Sequence, residues 1–249
     1  MEEPVYPILF HFGHLNLPTF GVLAALGLML ALLLSERTAV LAGVDADKLW
    51  DAGIFAAIAA FVLSRLLLAA TYWKSFQAFP LLLLMSPSLT PIGLALTAIA
   101  TAVWLWFRRV PLLRALDAWA PCGMLVWACL ALGHFAEGSD PGLTTTLPWG
   151  LPPMRGEVVR LHPVALYVAF LALLLASLSY WLLRRGLRAG AVAGWTLAAA
   201  GFTQFLASFL RQPGAAELFG LDLLQCVAVG MIVLGFGLVS GTLLPIERQ

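Results

Sequence analysis

The sequence predicts an all-α integral membrane protein, a bundle of about seven transmembrane helices, and three observations carry that prediction. Of the 249 residues, 61% are hydrophobic and only 11% are charged. Soluble domains run nearer ~45–50% apolar and ~25% charged. Seven apolar segments stand out along the chain, each close to the ~20 residues that a bilayer-spanning helix requires. The connections between them are short, so a single transmembrane domain over 1–249 is expected, with no large extramembrane domain. This composition excludes a soluble globular protein, a disordered chain and an open nucleic-acid surface. The net charge of +1 names no partner.

The expected spans are residues 17–35, 51–72, 89–107, 115–135, 163–183, 191–210 and 221–244. Two further apolar runs, 4–15 and 79–85, are too short to cross and read as interfacial or re-entrant pieces. Residues 136–161 carry Gly, Pro and Thr throughout without helical periodicity, and are expected to form an ordered or lid-like extracytoplasmic loop. Asp51, Asp117 and Asp222 read as helix-start residues, because acids favour helix N-termini. Small residues at 198–201 allow close helix packing. Cys122, Cys129 and Cys226 lie inside apolar runs and read as buried, inert thiols. The acidic start, Met-Glu-Glu-Pro, lacks the positive region of a signal peptide, so the first helix is expected to be retained.

Basic residues set the orientation. Arg37, Lys48, Arg108, Arg109, Arg114, Arg184, Arg185, Arg188 and Arg248 follow odd-numbered spans or lie in the tail. Lys74, Arg155, Arg160 and Arg211 follow even-numbered ones. The positive-inside rule then places the N-terminus outside and the C-terminus in the cytoplasm of a multi-pass membrane protein.

On that topology the unusual polar residues gather at the outer leaflet. Arg65 lies within the second span, roughly 10 Å below its outer end at 1.5 Å per residue. His134 closes the fourth, with Glu137 and Asp140 after it, and His162 opens the fifth. Gln204 and Arg211 lie in the outer half of the sixth, and Asp222 and Gln225 open the seventh. Asn16, Thr19 and Thr90 sit at the outer ends of the first and third. Ionisable groups at membrane depth are costly and point to function. Arg65 and Arg211 suit a lipid phosphate, which a guanidinium grips in a planar fork. The plainer alternatives are snorkelling for Arg65, interfacial anchoring for Arg211 and satisfied structural roles for His134 and His162. No cofactor and no metal are expected.

The order of motifs resembles the prolipoprotein diacylglyceryl transferase family over nearly the whole chain. The opening Tyr6-Pro-Ile-Leu-Phe-His-Phe-Gly13, with Phe20-Gly21, is similar to that family's N-terminus. Ser64-Arg65-Leu66 resembles part of its second helix, Leu116-Asp117-Ala118-Trp119-Ala120-Pro121 the entry to its fourth, and Gly133, Phe135, Gly138 and Gly142 the frame of its signature loop. Leu147-Pro148-Trp149-Gly150, His162-Pro163 with Leu166-Tyr167, Phe209-Leu210-Arg211-Gln212-Pro213 and Gln225 complete the resemblance. It implies transfer of the diacylglyceryl group of phosphatidylglycerol to a lipobox cysteine of a secreted preprotein, at the outer face of the plasma (inner) membrane. The thiolate is the attacking species, and arginines stabilise the departing glycerol phosphate.

The same resemblance exposes departures. Ile92 stands where the family has a histidine before a Gly-Gly pair. Ala131, His134 and Ser139 stand where its signature loop has arginine, asparagine and glutamate, and Phe20 replaces a tyrosine. Arg65 and Arg211 remain. The expectation is a divergent member with an outer-leaflet site for anionic phospholipid, supported by Glu137, Asp140, Gln204 and Gln225, its transfer activity lost or altered. Two alternatives stay open. One is an active transferase with His134 or His162 as relocated base. The other is a non-catalytic subunit of a membrane protein complex.

Overall fold

The computed structural model describes residues 8–12, 15–78, 91–152, 159–212, 217–218 and 221–241. The expected apolar run 79–85 lies outside the described residues, as do Thr90, Arg155 and Arg248. An N-terminal hairpin, β1 (Ile8–Phe12) and β2 (Leu15–Pro18), leads into helix α1 (Thr19–Ala42). Then come α2 (Ala46–Thr71), the short α3 (Trp73–Ala78), α4 (Pro91–Phe107) and α5 (Leu112–Glu137). Strands β3 (Thr144–Thr145) and β4 (Arg160–Leu161) precede α6 (Val164–Arg184) and α7 (Ala191–Ser208). A last small pair, β5 (Glu217–Leu218) and β6 (Leu221–Asp222), precedes α8 (Leu223–Ser240). Five of these helices, α1, α2, α5, α6 and α8, are long and apolar enough to cross a membrane. The chain is an all-α integral membrane protein.

Helix α5 is central, packed against α1, α6 and α7; α8 lies on α7, and α4 lies on α2, which rests on α1. Two buried apolar clusters mark opposite ends of the bundle. Ala39, Leu49, Leu105, Ala118, Leu183 and Val192 join the end of α1, the start of α2, the end of α4, the start of α5, the end of α6 and the start of α7. Ala131, Val164, Val168, Ala169 and Ala207 join the other ends of α5, α6 and α7. Lipid tails offer no hydrophobic contrast to a leucine, so packed small residues must hold such helices together. The contact of α7 with α8 shows this. A Cβ added to Gly235 would lie 2.6 Å from the Ala198 nitrogen, and one on Gly201 would lie 2.7 Å from the Ala228 carbonyl oxygen.

Several boundaries move from their expected places for identifiable reasons. Helix α1 continues past Ser35 because its polar side chains are satisfied within the helix. Ser35 Oγ donates to the Leu32 carbonyl at 2.6 Å and Thr38 Oγ1 to that of Leu34 at 3.2 Å. Helix α2 starts at Ala46, capped by Asp45, whose Oδ1 accepts the N–H of Asp47 at 3.0 Å and of Lys48 at 3.2 Å. Asp51 is therefore not a helix-start residue. It pairs with Arg108 Nη2 at 3.2 Å across to the end of α4, and both side chains are about half exposed, so the pair adds little stability. Asp222 does sit at the N-cap of α8. Cys122 and Cys129 are buried and Cys226 is half-buried, all three as free thiols.

Asp117 is the largest correction. It lies inside α5 and caps a different helix. Its Oδ2 accepts the Gly190 N–H at 2.7 Å and its Oδ1 the Ala193 N–H at 2.8 Å. The first N–H groups of any α-helix lack intrahelical acceptors, and Gly190, at the N-cap of α7, has no side chain to supply one. A buried carboxylate from α5 does so instead, and pins the two helices together.

Candidate functional site

The sequence-predicted residues lie at the bundle end that holds the start of α1 and the end of α5. Helix α5 stops there because Gly138 takes a left-handed conformation (φ 67°), which glycine reaches without a Cβ penalty. The turn that follows is a Schellman-type cap. Gly138 N–H donates to the Phe135 carbonyl and Ser139 N–H to the His134 carbonyl, both at 3.2 Å. That turn folds Ser139 back over His134, so Ser139 Oγ lies 2.9 Å from His134 Nδ1. His134 is exposed and its ring centroid is 5.0 Å from that of Phe20 at the start of α1.

Beyond the cap the chain runs as an improvised strand. Gly142 bridges antiparallel to Arg211. Leu143 N–H donates to the Leu210 carbonyl at 2.8 Å, and Gln212 N–H to that of Pro141 at 3.3 Å. On the other side, His162 N–H donates to the Leu143 carbonyl at 2.9 Å. Gly142 sits between the two neighbours, and a Cβ there would fall on the His162 carbonyl oxygen and lie 2.9 Å from the His162 Cβ. The stitch brings Asp140 alongside Arg211, whose Nη2 lies 2.9 Å from the Asp140 carboxylate. The two side chains are only 17% and 21% exposed, Arg211 first. Two nitrogens flanking this strand, Arg211 Nε and His162 Nδ1, are buried without a hydrogen-bond partner among the described residues. Such groups are uncommon in folded proteins, and Ser64 Oγ on α2 and Thr101 Oγ1 on α4 share the property.

The other described residues of the loop are braced. Strand β3 pairs with β4, Thr144 opposite Leu161 and Thr145 opposite Arg160. Trp149 Nε1 donates to the Tyr167 hydroxyl at 2.8 Å, and Arg160 Nη1 to the Pro148 carbonyl at 3.0 Å. Trp149 and Tyr167, 18 residues apart in sequence, are thus joined directly, one side chain hanging on the other.

The other predicted residues separate from this group. Arg65 is half-buried on α2, its guanidinium 5.1 Å from the ring centroid of Phe61 one turn earlier, a favourable cation–π spacing. Helix α2 packs on α1 and α4, whereas α7, which leads into Arg211, packs on α5, α6 and α8. The arginines therefore belong to different groups of helices. Arg211 itself lies three residues beyond the end of α7 rather than within its outer half. Gln204 is half-buried within α7 and Glu137 is exposed at the end of α5. Gln225 is a capping residue: its Oε1 accepts the Asp222 N–H at 3.0 Å at the start of α8, one half of a capping box. Among the described residues no group of three or more His, Cys, Asp or Glu side chains stands close enough to hold a metal ion.

The family model described as prolipoprotein diacylglyceryl transferase matches residues 7–240. The chain belongs to the prolipoprotein diacylglyceryl transferase family. Similar proteins named phosphatidylglycerol–prolipoprotein diacylglyceryl transferase are known from several bacteria. The one from Pseudoalteromonas translucida is 28% identical over 250 aligned positions, covering 96% of this chain and 94% of its own. That from Clostridium tetani is 24% identical, covering 92% of this chain and 94% of its own. That from Synechococcus elongatus is 29% identical over 73% of this chain and 66% of its own.

Proposed function

We propose that this chain is a divergent diacylglyceryl transferase family protein that holds an anionic phospholipid, phosphatidylglycerol, at the outer leaflet of the plasma membrane, with the usual transfer lost or altered. The observation that carries the reading is Arg211. It is a largely shielded guanidinium with one nitrogen on Asp140 and its Nε buried and unpartnered among the described residues. A phosphate oxygen is a strong acceptor for such a group. Arg65, half-buried on α2 and in a different group of helices from Arg211, is the weaker candidate for a second positive charge on the headgroup.

The altered chemistry rests on what surrounds that arginine. The resemblance places an arginine where Ala131 stands, and Ala131 is 4% exposed and packed with Val164, Val168, Ala169 and Ala207. An apolar cluster occupies the place of a phosphate clamp. Ser139, where the resemblance places a glutamate, is hydrogen-bonded to His134. Ile92, at the place of a functional histidine, is 65% exposed and has no group that can take a proton. Loss of a general base costs about 10²–10⁴-fold in rate. One observation favours the second reading, an active transferase: His162 Nδ1 has no hydrogen-bond partner among the described residues and lies on the same strand assembly as Arg211, and a base is needed to form the lipobox thiolate.

The lipid site is tested by purifying the protein in a mild non-ionic detergent and quantifying bound phosphatidylglycerol by mass spectrometry. Arg211→Ala is expected to lower retained lipid about tenfold or more, the scale of a charge-assisted hydrogen bond, and Arg65→Ala to lower it less. Equal retention by wild type and Arg211→Ala, or no phospholipid on either, overturns the reading.

A further inference from the structure

The geometry points to Asp140 as the residue that sets how readily the Arg211 site fills, by competing with the ligand's phosphate for the same guanidinium. This rests on the lipid reading above and adds to it a built-in counter-ion. Three features support it. The backbone leaves Asp140 little freedom to move away from Arg211: Gly142 bridges to Arg211, and hydrogen bonds of 2.8 and 3.3 Å tie Leu143 to Leu210 and Gln212 to Pro141. The ion pair is short, 2.9 Å, and both side chains are largely withdrawn from solvent, so screening of their charges is weak. A guanidinium has a fixed fork of donors. With Nη2 on Asp140, an incoming phosphate must either displace the carboxylate or bind beside it against like-charge repulsion.

The sign of one substitution separates this from an ordinary supporting contact. Asn at 140 keeps the shape and an oxygen that can accept from Nη2, and removes the negative charge. If Asp140 competes with the ligand, Asp140→Asn tightens binding. If it only positions Arg211, the substitution weakens binding or leaves it alone.

The experiment titrates the full chain in neutral detergent with short-chain phosphatidylglycerol and reads the rise in thermal unfolding temperature. Wild type, Asp140→Asn, Arg211→Lys and the double variant are compared. The expected result is binding about tenfold tighter in Asp140→Asn, the weight of one hydrogen bond to a charged group, with most of that gain absent in the Arg211→Lys background. Asp140→Ser provides a second neutral side chain, and a native far-UV helical signal qualifies each variant. Inorganic phosphate serves as a second probe. Tighter phosphate binding in Asp140→Asn supports competition at the anion site itself, and tighter binding of phosphatidylglycerol alone supports competition specific to the lipid. Arg211-dependent lipid binding that Asp140→Asn leaves unchanged or weakens overturns the competition while the lipid reading stands. No binding by wild type or by Asp140→Asn removes the lipid reading and the competition with it.

Discussion

Asp117→Ala is expected to lower the unfolding free energy by about 2–5 kcal/mol, because it strands two buried backbone donors at once. Asp117 is 2% exposed and is the acceptor for Gly190 and Ala193 at the start of α7. Neither donor has an alternative within the helix, since the first turn lacks preceding carbonyls. Water cannot replace the carboxylate without opening the contact between α5 and α7. For a chain of this size that cost corresponds to a fall of roughly 5–20 °C in unfolding temperature. Asp117→Asn keeps one acceptor oxygen and is expected to lose about half as much. The check is thermal unfolding in detergent followed by far-UV circular dichroism. An Asp117→Ala protein that unfolds with the wild type would mean that α7 is held by its other contacts alone.

Gly142→Val is expected to abolish lipid retention while leaving most of the helical content in place. The added Cβ would fall on the His162 carbonyl oxygen, and backbone atoms on a paired strand cannot yield as a flexible side chain can. The three segments around residue 142 would have to separate, and with them the Asp140–Arg211 pair. Overpacking of this kind costs about 1–3 kcal/mol where the surroundings can give, and more where they are backbone. The helices are packed elsewhere, by the clusters at both ends of the bundle. Bound phosphatidylglycerol and circular dichroism measured on the same preparation separate the two effects. Full lipid retention by Gly142→Val would place the ligand away from this strand.

Helix existence was legible in the sequence because apolar length in a membrane protein is set by bilayer thickness. The boundaries were less so, since they depend on tertiary satisfaction. Ser35 and Thr38 look like a polar stop but bond to carbonyls of their own helix. Asp117 looks like a local helix start and is a cap for α7, 73 residues away in sequence. At the candidate site, residue types were readable and pairings were not. Asp140 and Arg211 are brought together by the antiparallel bridge of Gly142 with Arg211, between two irregular segments, and no periodicity encodes such a bridge. Gly142 was visible only as part of a glycine frame, and its reason, the closeness of His162, is spatial. Gln225 looked like one of a polar cluster and proves to be committed to the start of α8.

This family member is proposed to hold phosphatidylglycerol without carrying out the ordinary transfer. The direct measurement incubates the purified protein with phosphatidylglycerol and a lipobox peptide, and follows the peptide by mass spectrometry for diacylglyceryl on its cysteine. The transferase from Pseudoalteromonas translucida serves as the working control. The peptide is expected to stay unmodified, or to be modified at least about 10²-fold more slowly than in the control, as for a site lacking its general base. Conversion at the control's rate, lost in Arg211→Ala, would contradict the proposal and make His134 and His162 the first groups to test as the base.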